Sequence, residues 1–336
     1  MKSIASQAVR QLRPLAKNIV PSPVRRWLRE QQRLLPLTRQ NFYDQIFATE
    51  LTFTNAEGFS NFDFVLRATG KRPGVSAMLR IKNEEDKIYH SLGSIHPIFD
   101  EIVIVDNGSQ DRTPEIVRAF QQKYDMEGKI RFYSYPFKLA RCGPENSNSP
   151  ENSVHSLCYY YNWSLSKCTM SYACKWDGDM VLRKEARETF RQFLVQLKNS
   201  RKKCWILYGQ TVYRDLQFQY YLSNSEINGE VMIFPNGLNP RFYKTDLYEI
   251  LRSEPALDEG ALDTIVFYEL KFTDVDEFSH WSVSEIPTER KKRELEFFNL
   301  IKTKRISSSQ FERLPADFLD AQINLPRSDP SLPGAG

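Results

Sequence analysis

From Val75 onward, short runs of apolar residues alternate with segments in which apolar positions recur every three or four residues. That pattern predicts strands alternating with helices. Val75 to Ile81 reads as a short buried strand, and Glu84 to Ile95 follows at helical spacing. Glu101 to Val105 is the plainest strand, with Ile102, Val103, Ile104 and Val105 β-branched in succession. Thr113-Pro114 then opens a helix whose Ile116, Phe120 and Tyr124 share one face. Ile130 to Tyr133 is the next strand. Val154, Leu157, Tyr161 and Leu165 mark a helix, Ser171 to Trp176 a strand, and Ala186, Phe190, Phe193 and Leu197 another helix. Cys204 to Tyr208 is again a strand. This order predicts an α/β fold with a mostly parallel central sheet and helices on both faces. Ligands of such sheets bind beyond the carboxyl ends of the strands.

The flanking segments lack this rhythm. Residues 41–70 are aromatic and polar without a clear period, and Gly70 to Gly74 reads as a boundary turn. Gly143 to Ser153 is rich in Asn, Ser and Pro and too long for a simple connection, so a working loop is expected there. Leu325 to Gly336 reads as a tail. The expected organisation is a basic amphipathic arm and lead-in over 1–70, a main domain over 71–325 and a disordered tail over 326–336.

Composition narrows the picture. No segment of the 336 residues approaches the roughly 20 apolar residues that span a bilayer. The five cysteines are scattered without a C-x-x-C pair, as expected of free thiols in a reducing compartment. Only four histidines are present, which argues against a His-rich metal centre. The net charge is +4, yet residues 1–40 carry nine Lys/Arg against Glu30 alone, leaving 4 − 8 = −4 on the remainder. Within this arm Val24, Trp27 and Leu28 lie among Arg25, Arg26, Arg29 and Arg33. Such a segment packs on its own domain, rests on an anionic membrane surface or serves as a transit peptide. A cytoplasmic chain, with the arm able to sit on the inner face of a membrane, is expected. No nucleic-acid reading motif accompanies the basic arm.

Chemistry concentrates at three strand ends. Asp177-Gly178-Asp179 places two carboxylates around a glycine that admits close backbone approach, and alternation would put both on one side. Paired hard oxygens suit Mg²⁺ or Mn²⁺, although an acidic turn in water has the same sequence. Asp106, in Val105-Asp106-Asn107-Gly108-Ser109, is a candidate acceptor for a nucleobase or ribose, or a member of an ordinary turn. Arg80-Ile81-Lys82-Asn83-Glu84 offers cations to a diphosphate, or a helix cap. The P-loop, the G-x-G-x-x-G fingerprint and the G-x-S-x-G elbow are all missing.

Taken in order, Val75 to Glu84, Ile104 to Ser109 with Asp111 and Thr113, and Asp177-Gly178-Asp179 resemble glycosyltransferase family 2. The resemblance covers residues 74–200 well and 200–300 loosely. It implies a GT-A fold, a nucleotide-diphosphate sugar donor with a UDP-sugar favoured, a glycan or lipid-linked acceptor, inversion at the sugar C1, and Mn²⁺ or Mg²⁺. By the same resemblance Arg80, Lys82, Glu84, Asp106, Asn162 and Asp177 would bind the donor, and Asp179 the metal. Asn162 lacks the preceding arginine usual in the family. The second half resembles the branch acting in lipopolysaccharide core or exopolysaccharide synthesis. There Glu249 falls where a catalytic base is expected, and it and Asp177 are the candidate catalytic residues. Glu269 in Glu269-Leu270-Lys271 replaces the usual histidine, and it and His280 are the candidates for the remaining metal ligand. Two rivals stay open: a non-catalytic nucleotide-sugar-binding protein, and a nucleotidyltransferase, which also uses paired aspartates.

Overall fold

The chain is described by a computed structural model covering residues 49–198, 203–246, 248–253, 256–273, 289–323 and 325. These residues belong to one unit, residues 49–336. The basic arm and the tail lie outside the described residues.

A hairpin of β1 (Glu50–Phe53) and β2 (Phe64–Arg67) leads in. Its Phe53 and Phe64 rings stack at 4.5 Å, and Phe64 meets Tyr159 edge-on at 5.1 Å. The aromatic residues of 41–70 that showed no period are therefore in part a small sheet. The expected alternation follows: β3 (Arg72–Ile81), α1 (Ile88–Ile95), β4 (Glu101–Asp106), α2 (Thr113–Tyr124) and β5 (Ile130–Ser134). The segment expected to be a loop holds a short α3 (Pro144–Asn148) before α4 (Leu157–Ser166). Next come β6 (Met170–Asp177), β7 (Met180–Leu182) and α5 (Arg187–Leu197). The second half is largely β: β8 (Cys204–Arg214), β9 (Tyr220–Pro235), β10 (Arg241–Lys244), β11 (Glu249–Arg252) and β12 (Glu259–Phe272). It closes with α6 (Glu289–Lys302), β13 (Phe311–Arg313) and α7 (Phe318–Ala321).

The central sheet runs β5-β4-β3-β6-β9-β8-β12-β7, with β13 on β9. Strands β3, β4, β5, β6, β8, β12 and β13 point one way, and β7 and β9 the other. The mostly parallel α/β sheet expected from the pattern is present. Val75, Ala77, Leu79 and Ile81 alternate to one face, in a single apolar cluster with Ile88 and Leu92 of α1, Phe120 of α2 and Phe190 of α5. The opposite face meets α4, whose Tyr160 hydroxyl donates to the Val105 carbonyl at 2.9 Å.

Two expectations shift in detail. The helix expected from Glu84 begins at Ile88, because Asn83 takes φ +54° and 84–87 form a turn closed by Lys87 N–H to the Glu84 carbonyl at 2.9 Å. The strand expected over 204–208 continues to Arg214 and pairs with β9 in a long antiparallel hairpin.

One buried carboxylate ties the parallel strands together. Glu101, 3% exposed, accepts from Ser76 Oγ at 2.5 Å on β3, Arg131 at 2.6 Å on β5, and Thr169 N and Oγ1 at 2.8 and 2.6 Å before β6. Glu101→Ala strands these donors, and urea unfolding should read a loss of roughly 2–4 kcal/mol. An unchanged midpoint would mean the hub contributes nothing.

Candidate active site

Register brings the three motifs to one level. Arg80 on β3 pairs with Val105 on one side and Asp177 on the other, and Ile81 pairs with Asp106. Burial raises the Tyr160 hydroxyl above its usual value, and Asp106 and Asp177 both push it further up while Arg80 opposes them. One phenol thus feels both carboxylates.

The loops at these strand ends are laced to each other. Ser109 folds back on Asp106, its Oγ donating at 2.5 Å. Gly108 takes φ +65°, a left-handed conformation that glycine adopts without a Cβ penalty. Asn107 spends its amide on the Tyr135 and Phe137 carbonyls at 3.0 and 2.7 Å. Across the gap, Asn83 N–H donates to Ser109 Oγ at 2.8 Å and Glu84 N–H to Thr113 Oγ1 at 2.7 Å. Asn83 therefore bridges loops and does not cap α1. Lys82 is exposed beside it. A cleft of about 400 Å³ borders these loops, lined by Asn83, Asp86, Lys87, Gln110, Asp111 and Phe272.

On one side of β6, Arg80 donates to Asp177 Oδ1 at 2.6 Å and lies 3.7 Å over the Tyr161 ring. Its Nε and Nη1 are buried with no hydrogen-bond partner among the described residues. Burial would lower this guanidinium, yet Tyr161, Asp177 and Glu249 raise it above its ordinary value. Lys175, two residues before Asp177 and so on the same face, is 4.0 Å from Asp177 Oδ2 and in close contact with Glu230. A second cleft, of about 250 Å³, is lined by Tyr161, Lys175, Glu230, Phe242, Glu249 and Ile250. Burial pushes the Glu249 carboxyl above its usual range, although Arg80, Lys175 and a hydrogen bond from Tyr161 pull the other way. Its Oε2 is buried without a hydrogen-bond partner among the described residues.

Asn162 stands apart from this cleft chemistry. It is 1% exposed, donates to the Phe242 carbonyl at 2.8 Å and accepts from Phe242 N–H at 3.1 Å. Both ends of its amide join α4 to β10.

Asp179 has different company. β6 ends at Asp177, and Gly178-Asp179 form the turn into β7, so strand alternation does not carry from one aspartate to the other. Lys271 Nζ lies 3.0 Å from Asp179 Oδ2 and 3.1 Å from Glu269 Oε1. Arg290 takes the other Glu269 oxygen at 2.8 Å, binds Glu294 at 2.7 Å and lies 3.9 Å from Glu230. Burial would raise Glu269, but Lys271, Arg290 and Lys291 hold it far below its usual range. Glu84 goes the other way: burial outweighs its partner Lys87 and, with Asp179 nearby, lifts it to about 7.

The resemblance implies a divalent ion at Asp179, and the donor chemistry speaks against that. The Lys271 ammonium bridges Asp179 and Glu269, the position a cation shared by these two acids would take. Among the described residues no group of three or more His, Cys, Asp or Glu side chains is placed to hold a metal. His280 lies outside the described residues. Lys175, Glu230, Lys271 and Arg290, none of them a candidate site residue by sequence, all join the site. Lys175 and Lys271 stand two residues from Asp177 and Glu269 on their strands, a legible signal; Arg290 has none.

Comparison with known proteins bears on the first two motifs, and Asp177-Gly178-Asp179 lies beyond the matched residues. The pattern described as Glycosyl transferase family 2 matches residues 76–141. A search of curated sequences returns no match. Among solved structures, Staphylococcus aureus TarS 1–349 is 15% identical, with a TM-score of 0.36, covering 59% of this chain and 60% of that one. Mycobacterium tuberculosis glucosyl-3-phosphoglycerate synthase is 19% identical, with a TM-score of 0.27, covering 42% and 45%. The chain thus spans three fifths or less of these proteins, and overlaps this loose transfer no activity.

Gly178 is closely packed at the junction of the two strand ends. A Cβ there would lie 2.9 Å from Ile81 Cγ2 and 3.0 Å from Glu84 Cγ. Gly178→Ala should cost about 1–3 kcal/mol by wedging the two strand ends apart. Thermal unfolding checks it, and an unchanged Tm would mean the junction yields freely.

Proposed function

We propose that the chain is a glycosyltransferase that moves a sugar from a nucleoside-diphosphate donor, a UDP-sugar in the first instance, to a hydroxyl of a glycan or lipid-linked acceptor. The observation that carries this reading is the arrangement around Arg80. Asp177, at the donor-binding strand end, and Glu249, in the neighbouring cleft, act on the same guanidinium, within a chain whose residues 76–141 match the family pattern.

In this reading Arg80, Lys82, Glu84, Asp106 and Asp177 serve the nucleotide and donor sugar. The acceptor enters the cleft over Tyr161 and Phe242. The Glu249 carboxylate, whose Oε2 makes no hydrogen bond among the described residues, takes the proton from the acceptor hydroxyl. The acceptor oxygen bonds to C1 as the C1–O bond to the β-phosphate breaks. The nucleoside diphosphate leaves with the electron pair, and C1 inverts. Asn162 holds β10, a wall of the cleft, to α4. The Mn²⁺ or Mg²⁺ of the resemblance finds no support in the residues at Asp179, where Lys271 already bridges the two acids.

The test is release of nucleoside diphosphate from UDP-, GDP- and dTDP-hexoses, with and without glycan acceptors. Release of pyrophosphate would identify a nucleotidyltransferase instead, and binding without release a non-catalytic protein. The base must be ionised to act, and its pKa is raised. Turnover should therefore increase with pH along a limb lying above the ordinary Glu value of about 4.3. Glu249→Gln should lower kcat by about 10²–10⁴-fold and remove that limb. A pH profile identical in the variant would discard Glu249 as the base.

Among the described residues no helix is long and apolar enough to cross a membrane. Membrane attachment through the arm is a separate proposal, resting on its charge. Deleting residues 1–40 should abolish co-sedimentation with anionic liposomes and leave nucleotide release unchanged; undiminished co-sedimentation would refute it.

A further inference from the structure

We propose that this transferase works without a divalent ion, and that Lys271 and Arg290 supply the positive charge that meets the leaving diphosphate. The inference rests on the transferase reading above. It starts from the disagreement at Asp179.

A divalent ion would bring two positive charges to Asp179 and Glu269. Lys271 and Arg290 bring the same two. Lys271 contacts both acids, at 3.0 and 3.1 Å, and Arg290 closes the second oxygen of Glu269 at 2.8 Å. The Lys271 side chain is only 6% exposed. The far side of Arg290 is anchored by the fully buried Glu294, which Lys291 also binds, at 2.5 Å.

This placement is built into the sheet. Glu269 and Lys271 stand two residues apart on β12, so both face the site. Their strand is fixed on both sides, with Glu269 opposite Met180 of β7 and Thr211 of β8, and Lys271 opposite Tyr213 of β8. Leu270, between them, donates its N–H to the Asp179 carbonyl at 2.9 Å. The backbone that carries Asp179 is thereby tied to the backbone that carries Lys271.

When the donor C1–O bond breaks, the β-phosphate oxygen keeps the electron pair and gains negative charge. An ammonium held beside Asp179 can share that charge at once, without moving from water into the site. Arginine adds a planar fork suited to phosphate oxygens. Glu269, in the place of the family's histidine, is then a carboxylate that holds two cations in position.

The experiment is calorimetric titration of the full chain with UDP, GDP and dTDP, in EDTA and in Mn²⁺. The nucleotide that binds should do so with a Kd unchanged within about twofold between the two conditions, and Mn²⁺ alone should give no binding. Lys271→Met should weaken that Kd at least tenfold, whereas Lys271→Arg should keep it within a few fold. A Kd at least tenfold tighter in Mn²⁺, or turnover abolished by EDTA, overturns the inference and leaves the transferase reading standing. Binding of no nucleotide in either condition overturns the transferase reading and the inference with it. The comparison of EDTA with Mn²⁺ uses the unaltered chain, so it decides the question even where Lys271→Met fails to fold.

Discussion

A chain of alternating charges crosses the carboxyl ends of the strands, and the site depends on it. Arg80, Asp177, Lys175, Glu230, Arg290, Glu269, Lys271 and Asp179 follow one another, each within 4.0 Å of the next. Four strands and a helix contribute, so the network joins parts of the fold that share no sequence neighbourhood. Several members, Arg80, Glu269 and Lys271 among them, are almost shut off from water. Taking such a group out of water costs several kcal/mol unless a partner compensates. The pairing is therefore a condition for folding this sheet with its ends so polar, and it fixes where the two aspartates of Asp177-Gly178-Asp179 can point.

The same network gives chemically similar groups different characters. Glu269 is buried and Glu84 half-buried, both near Asp179. Glu269 has Lys271 and Arg290 on its oxygens and is held ionised, whereas Glu84 has Lys87 alone and rises to about 7. Because its folded pKa exceeds the unfolded value of about 4.3, Glu84 favours the folded state at low pH, and that contribution fades as pH climbs through about 7. Glu249 is raised by burial as Glu84 is, and the pull of Arg80 and Lys175 does not cancel it. Position relative to the cations, and not residue type, separates a structural carboxylate from one able to accept a proton.

The parts of the fold legible in the sequence are those governed by local patterning. Ile102 to Val105 could be little else than a buried parallel strand, and its neighbours β3 and β6 follow from equally short apolar runs. The strand-end position of Asp106 and Asp177 came with them, since a run of apolar residues stops where the carboxylate begins. The second half was less legible, because β9 carries Asn224, Glu226, Asn228 and Glu230 through a strand that is largely exposed or half-buried over 220–231, so no run of apolar residues marks it. Asn83 looked like a helix cap by composition, but its left-handed backbone and its bonds to the 109–110 turn are decided by a loop 26 residues away. Arg290 left no trace at all. Its pairing with Glu269 and Glu230 is a product of tertiary folding, on a helix whose buried residues include a glutamate.

These contrasts bear on how an α/β sheet can present charge at its edge. A metal site concentrates two positive charges at a point and needs open carboxylate oxygens around it. Here the corresponding acids have been closed by side chains from β12 and α6, which spreads the positive charge over two groups with hydrogen-bonding direction of their own. The order is already present before any ligand arrives, because the acids hold the cations in place. In the proposed transfer, reorganisation at bond cleavage would then be small, which is the condition under which fixed charges act most strongly on a transition state. In the proposed transfer the leaving diphosphate makes the same physical demand in either arrangement; what differs is whether the cation is borrowed from solution or supplied by the folded chain.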